Sequence, residues 1–201
     1  MKPLEEKKFT IPELKGISKE SIVEHLALYS GYVKNYNAIM NEAQALMPES
    51  DKHMHAISEL TRRASFEFGG MRLHEYYFAE LEGGATPLVS GSPLAEAINV
   101  WSQSDDPQAR ITKLMKNIGL MRGPGWALLY WDPVSKQLVY GFSGEQHQGH
   151  FVTLPIVLAL DLWEHTYIKD YGAGGKGKYI DAFFENLNWS VVEENFSNAQ
   201  R

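Results

Sequence analysis

Residues 18–45 read SKESIVEHLALYSGYVKNYNAIMNEAQA, and this stretch decides the front half of the fold. Ile22, His25, Leu26, Tyr29, Tyr32, Val33, Tyr36, Ile39 and Met40 recur at the spacing of one helix face, with no proline before Pro48. The spacing predicts one long helix. Residues 50–81 predict a second, bent at Gly69-Gly70, because paired glycines weaken a helix and let another backbone approach closely. Joined by a short turn, the two form an αα-hairpin. Glu82-Gly83-Gly84-Ala85-Thr86-Pro87, followed by the Ser/Gly/Pro-rich 90–93, marks the expected boundary. It divides the chain into a helical hairpin domain over 1–84 and an α+β domain over 85–201.

Beyond that boundary the period changes. Residues 94–102 and 107–117 predict short helices, the second starting at Asp105-Asp106-Pro107. Trp126–Trp131 and Gln137–Phe142, rich in Leu, Tyr, Val and Trp around the turn 132–136, predict a β-hairpin. The apolar run Leu154–Leu160 fits a buried third strand, and 163–171, 179–186 and 190–199 read as helices. The class is α+β: an N-terminal long α-hairpin, then a C-terminal α/β lobe with a three-stranded antiparallel sheet.

Composition narrows the function. The 201 residues carry 19 Lys+Arg against 25 Asp+Glu, a net charge of −6, with 44% hydrophobic and 12% aromatic residues. That is ample for a core and too apolar for a disordered chain. An acidic balance without a basic block argues against nucleic acid as partner, since that binding relies on neutralising phosphates. The absence of cysteine removes disulfides, thiolate zinc sites, iron–sulfur clusters and cysteine nucleophiles, so any metal must be held by His and carboxylate. The N-terminal MKPLEEKKFTIPELKG is charged, and no stretch approaches the roughly 18 apolar residues of a membrane span, so no membrane association and a cytoplasmic location are expected.

Several near-motifs fall short. Gly172-Ala173-Gly174-Gly175-Lys176-Gly177-Lys178-Tyr179 approaches a phosphate-binding loop, but Tyr179 stands where Ser or Thr must hold magnesium, and a helical segment precedes it instead of a strand. His74-Glu75-Tyr76-Tyr77-Phe78 starts like a zinc-protease helix, yet Phe78 occupies the second histidine's place. Asn188-Trp189-Ser190 and Asn195-Phe196-Ser197 match the glycosylation triplet without a secretory signal. His53 and His55, two apart, point to different helix faces.

With those two and His147 set aside, His25, His74, His150 and His165 remain. His25 shares a helix face with Tyr29 and Tyr32, and His74 lies on the second helix. A lone histidine on an apolar face is more often a satisfied core residue than a ligand, but two on facing helices shift those odds. Asp161-Leu162-Trp163-Glu164-His165 follows the apolar run directly. A buried carboxylate there is costly unless paired or metal-bound, although Asp161 equally suits an N-cap for the next helix.

Asp-x-Trp-Glu-His-x-Tyr at 161–167, Gly-Gly-x-x-x-His at 69–74 and Gly-Pro-Gly-Trp at 123–126 resemble the iron/manganese superoxide dismutases, over nearly the whole chain and in the family's order. The resemblance implies one Fe or Mn ion per subunit held by His25, His74, Asp161 and His165, with a solvent molecule as fifth ligand. It implies superoxide as substrate, disproportionated to dioxygen and peroxide. Three imidazoles and a carboxylate suit a metal cycling between 2+ and 3+, whereas zinc accepts the same donors without redox chemistry. The resemblance also makes Tyr32 the gateway tyrosine and places Gln146, or alternatively His147, where hydrogen bonding tunes the metal. Trp163 and Trp126 would wall the site. A homodimer or homotetramer is implied, with Glu164 and His165 near the subunit interface.

The chain also departs from the family. A His-His pair common between the first ligand and the gateway tyrosine is replaced by Leu26-Ala27-Leu28-Tyr29-Ser30-Gly31, one residue shorter, and Ile168 stands where a tyrosine commonly bridges the dimer. The two partners of that bridge are missing together, which implies an altered funnel and dimer contact. Lys34, Arg72, Lys176 and Lys178 are candidates for steering an anionic substrate. The competing readings are a redox-inert metallohydrolase and a metal-binding dimer without turnover.

Overall fold

The first long helix, α1 (Lys19–Leu46), starts where Ser18 Oγ accepts the Ser21 N–H at 3.1 Å, satisfying one of the free N–H groups of the first turn. Ile22, His25, Tyr29 and Val33 form its buried stripe. Helix α2 (Ser50–Leu81) runs back along it, but its buried residues begin only at Ala64. The turn end of the hairpin therefore stands in solvent, and its base carries the packing. The structure, a computed structural model, describes residues 2–201.

The bend expected at Gly69-Gly70 is absent. The backbone stays helical there and departs only at His53 (φ −114°, ψ 15°), near the start of α2. Both glycines serve close approach instead, because packing against neighbours on two sides holds the helix straight.

Helices α3 (Pro93–Ser102) and α4 (Pro107–Gly119) each begin with proline, whose missing N–H is no loss in a first turn. Ser92 and Asp106 side chains cap them by accepting the Ala95 and Ala109 N–H groups at 3.2 and 2.9 Å. Strands β1 (Trp126–Asp132), β2 (Gln137–Ser143) and β3 (Ile156–Asp161) form an antiparallel sheet in the order β2-β1-β3. The central β1 is buried from Trp126 to Trp131, which is why it reads as a continuous apolar run without alternation.

Register decides where the site lies. Trp126 is paired with Ser143 on one side and Asp161 on the other, so the start of β1 meets the ends of β2 and β3. The Leu162 N–H extends that end of the sheet by donating to the Gly125 carbonyl at 2.8 Å.

After β3 the chain does not enter the continuous helix expected over 163–171. Trp163 is extended (φ −68°, ψ 152°), a single 3-10 turn spans Glu164–Thr166, and α5 covers only Ile168–Tyr171. Asp161 Oδ1 accepts the Trp163 N–H at 2.9 Å and Thr166 Oγ1 donates to the Trp163 carbonyl at 2.7 Å, a side-chain-made turn that competes with helix. Helices α6 (Lys176–Asn186) and α7 (Trp189–Ala199) complete the chain.

One apolar core runs through both halves, joining Tyr77, Phe78 and Leu81 of α2 to β1, to Phe183 of α6 and to Phe196 of α7. Each such large side chain contributes about 1.5–3 kcal/mol on burial. The buried Glu80 carboxylate adds a polar tie from α2 to the edge strand by accepting the Ala159 N–H at 3.0 Å. No helix among the described residues is long and apolar enough to cross a membrane.

Candidate metal centre

Four side chains from three parts of the chain meet at the end of the sheet: His25 of α1, His74 of α2, Asp161 closing β3, and His165 in the 3-10 turn. One potential ligand atom from each lies within 4.8 Å of all the others. Asp161 Oδ2 is the focus, with the Nε2 atoms of His25, His165 and His74 at 3.2, 3.2 and 3.7 Å. His25, His74 and Asp161 are buried, while the His165 side chain keeps 24% of its surface exposed.

The tautomer of His74 follows from its surroundings. Its Nδ1 lies 2.6 Å from the Gly70 carbonyl, an acceptor only, so Nδ1 carries the hydrogen and Nε2 presents a lone pair to Oδ2. The Nε2 atoms of His25 and His74 are both buried without a hydrogen-bond partner. Buried polar atoms are rarely left so, and a cation bound among them satisfies both. The donor set thus fits a first-row metal ion.

Electrostatics agree. Burial pushes His74 down to about 3, the neighbouring His25 adding to the effect, and burial lowers His25 as well. Both imidazoles are therefore neutral, the form that binds metal. Burial alone would raise the Asp161 carboxyl, but His165 and His25 outweigh it and hold the group well below the usual carboxylate range. Asp161 is not the N-cap of the helical turn that follows, whose cap residue is Trp163 without a side-chain cap bond; its Oδ1 instead holds the turn by accepting the Trp163 N–H, while Oδ2 faces the imidazoles.

Around this cluster aromatic rings exclude water. Tyr77 and Phe78 pack on His25 at centroid distances of 4.8 and 4.9 Å, and Trp126 meets His74 edge-on at 5.2 Å. Trp163 lies parallel to His165 at 6.4 Å. Tyr32 covers His74 at 5.0 Å, and its hydroxyl receives a hydrogen bond from Gln146 Nε2 at 3.0 Å. Gln146 Oε1 in turn accepts from Trp126 Nε1–H at 2.9 Å. Burial, then the charges of Asp161 and Glu67, push Tyr32 up to about 12, so it keeps its proton.

Of the two candidates in the 144–150 loop, Gln146 reaches Tyr32. His147 instead presents its ring to Phe66 at 5.6 Å, with Nδ1 3.8 Å from Glu145 Oε2. Gln146 can stand there because α2 offers it glycine: a Cβ at Gly69 would lie 2.0 Å from the Gln146 carbonyl oxygen, and one at Gly70 2.6 Å from the Tyr32 ring.

Other sequence candidates fall elsewhere. The glycine-rich 172–178 follows helix α5, and Lys176 donates to the Met121 and Gly123 carbonyls at 2.9 and 2.7 Å. Arg72 is tied to Glu75 at 2.7 Å, leaving Lys34 and Lys178 as the exposed members of the steering set. Tyr77, three residues beyond His74, packs on the His25 ring, and its spacing from His74 is the sequence signal for that place.

Comparison with known proteins places the chain in a family. A family model described as iron/manganese superoxide dismutases, C-terminal domain, matches residues 91–195. The chain is 33% identical over 193 residues to a protein named superoxide dismutase [Fe] from Aquifex pyrophilus, covering 94% of this chain and 88% of that one. A protein of the same name from Aquifex aeolicus is 32% identical over the same shares of both chains. Superoxide dismutase [Mn] 2 of Halobacterium salinarum is 42% identical over 74 residues, 37% of this chain and 36% of the relative. The chain belongs to the iron/manganese superoxide dismutase family.

Proposed function

We propose that the protein is a superoxide dismutase whose single Fe or Mn ion sits between the helical segment 1–84 and the α+β segment 85–201. The observation that carries this reading is the pair of buried, partnerless Nε2 atoms of His25 and His74 turned on the same Asp161 oxygen. A bound Fe or Mn would supply one-electron chemistry between 3+ and 2+, by which one superoxide gives up an electron as dioxygen and another takes up an electron and two protons as hydrogen peroxide.

His25, His74, Asp161 and His165 hold the ion, and the Asp161 carboxylate favours its oxidised state. Tyr32 is the proton-holding group beside the site, oriented by the Gln146 amide. Gln146, fixed by the Trp126 indole, directs a hydrogen-bonding amide toward the site. Trp163 and Trp126 keep the surroundings dry, which strengthens every electrostatic interaction inside.

The proposed assembly is a homodimer or a pair of dimers in contact through the face bearing Glu164. Exposed Glu164 next to His165, with Val23 and Ile168 57% and 50% exposed nearby in α1 and α5, supports that face. The test loads the protein separately with Fe and with Mn, quantifies occupancy, and measures superoxide loss. Rapid dismutation that disappears with the metal in His74→Ala is expected, and full occupancy without turnover would overturn the reading.

A further inference from the structure

His150 stands out among the histidines because it is tightly partnered yet outside the metal cluster. Its Nε2 lies 3.1 Å from the Gln146 carbonyl oxygen and 3.4 Å from Ser143 Oγ, and its Nδ1 lies 3.2 Å from the Tyr130 hydroxyl. A carbonyl only accepts, so Nε2 bears the hydrogen and Nδ1 is left to accept from Tyr130 Oη–H. Tyr130 has a hydrogen to give: burial pushes it up to about 12. One tautomer of His150 therefore satisfies both ends of the ring.

That arrangement fixes the main chain of Gln146 from the sheet. Tyr130 and Trp126 both belong to β1, and through them one strand holds Gln146 twice: at its amide oxygen by the Trp126 indole, and at its carbonyl by way of His150. The loop is tightened further by Ser143 Oγ, 2.6 Å from the carbonyls of both Glu145 and Gln148. Gly69 closes the remaining side, with no room beyond the Gln146 carbonyl oxygen. A carbonyl pulled by His150 and stopped by Gly69 has one position, and the side chain that follows points at Tyr32.

We propose that His150 is a positioning residue for dismutation: its Nε2–H bond to the Gln146 carbonyl sets the Gln146 amide against Tyr32 and thereby the reduction potential of the bound metal. This rests on the reading of Gln146 as a hydrogen-bonding partner at the metal site. Groups that orient a metal's surroundings typically change affinity or activity by about 10–100-fold when removed. His150 acts one step further out, so the lower end of that range is expected.

The experiment compares metal-loaded unsubstituted protein with Gln146→Ala, His150→Ala, His150→Gln and Tyr130→Phe. It measures the reduction potential, superoxide loss at known occupancy, and the thermal midpoint. His150→Ala is expected to move the potential in the same direction as Gln146→Ala and to slow turnover about tenfold at full occupancy. His150→Gln, whose amide nitrogen can take the place of Nε2–H, restores most of both. Tyr130→Phe, which removes only the outer partner, gives a smaller shift of the same sign. An unmoved potential in loaded His150→Ala overturns the proposal, as does a shift that Gln fails to reverse. If His150→Ala does not load, His150→Gln and Tyr130→Phe decide: potentials between the unsubstituted protein and Gln146→Ala support it if Tyr130→Phe lies further from the unsubstituted value, and any other pattern overturns it. An unmoved potential in Gln146→Ala removes the role of Gln146 and that of His150 with it. Dismutation by the unsubstituted protein tests the wider reading separately.

Discussion

The carbonyl oxygen of Gln146 rests on the α-carbon of Gly69, so closely that a Cβ there would lie 2.0 Å from it. Helix propensity alone favours alanine over glycine in a helix interior by about 1 kcal/mol. At position 69 the clash reverses that sign. Gly69→Ala is expected to destabilise by about 1–3 kcal/mol, the usual range for overpacking, and to cut turnover with metal still bound. Gly31 in α1 is the control, because a Cβ there meets nothing within 4 Å. Gly31→Ala is expected to stabilise by about 0.4–1 kcal/mol. Thermal unfolding of the two variants checks both signs.

Asp161 divides its oxygens between the turn after β3 and the three facing imidazoles, and a conservative substitution separates the two. Asp161→Asn keeps an oxygen for the Trp163 N–H, so the turn after β3 is expected to persist. The anion facing three imidazoles is lost. Removing an outer partner of a metal ligand already weakens binding by about 10–100-fold, so loss of the ligand's charge should exceed about tenfold. Metal content after dialysis against a competing chelator measures it, and unchanged retention would remove Asp161 from the ligand set.

How much of this was legible in the sequence depends on how local each signal is. The hairpin follows from periodicity in α1, and the sheet from apolar runs bounded by turn residues, because these are properties of contiguous chain. The convergence of His25, His74, Asp161 and His165 is carried by family motifs; spacing alone leaves Asp161 open between cap and ligand. The Gly69-Gly70 pair suits both a bend and a close approach. Only the approach occurs, because Gln146 and Tyr32 come from segments far away in sequence and no local property of α2 reports them. The turn at Trp163 is hidden from periodicity for a related reason: two side-chain hydrogen bonds, one accepted by Asp161 and one donated by Thr166, override a helical pattern.

Glu80 supplies a pH signature independent of the metal. Burial holds its carboxyl well above the ordinary 4.5, with the Ala159 N–H the opposing influence. A folded value above the unfolded one means that the native state binds the extra proton. The stability contribution is thus fully present below about pH 4.5 and is lost as pH rises through the folded value. Glu80→Gln has nothing to ionise, so it should match the unsubstituted protein near pH 4 and exceed it at neutral pH. Glu80→Ala instead strands the Ala159 N–H and is expected to cost about 1–3 kcal/mol near pH 4, a deficit that shrinks toward pH 7 because alanine has nothing to ionise either. Urea midpoints of the three proteins at pH 4 and 7 decide the matter; equal pH dependence in the unsubstituted protein and Glu80→Gln would mean that the Glu80 carboxyl titrates alike in the folded and unfolded chains.

Metal removal should expose how far the centre also serves as a staple. The proposed ligands come from α1, α2 and the segment closing β3, so an ion there would join elements that are far apart in sequence. An ion that binds only the native state stabilises it by about 4 kcal/mol when free metal is a thousandfold above its dissociation constant. For a domain of this size each kcal/mol moves the thermal midpoint by about 2–4 °C, so chelation is expected to lower it by roughly 8–16 °C. Zinc accepts the same imidazole and carboxylate donors but does not change oxidation state. Zinc-loaded protein should therefore regain most of the lost thermal stability and none of the dismutation. Dismutation with zinc at full occupancy would show that turnover does not need a redox-active ion, and would remove the electron-transfer reading while leaving the ligand set intact.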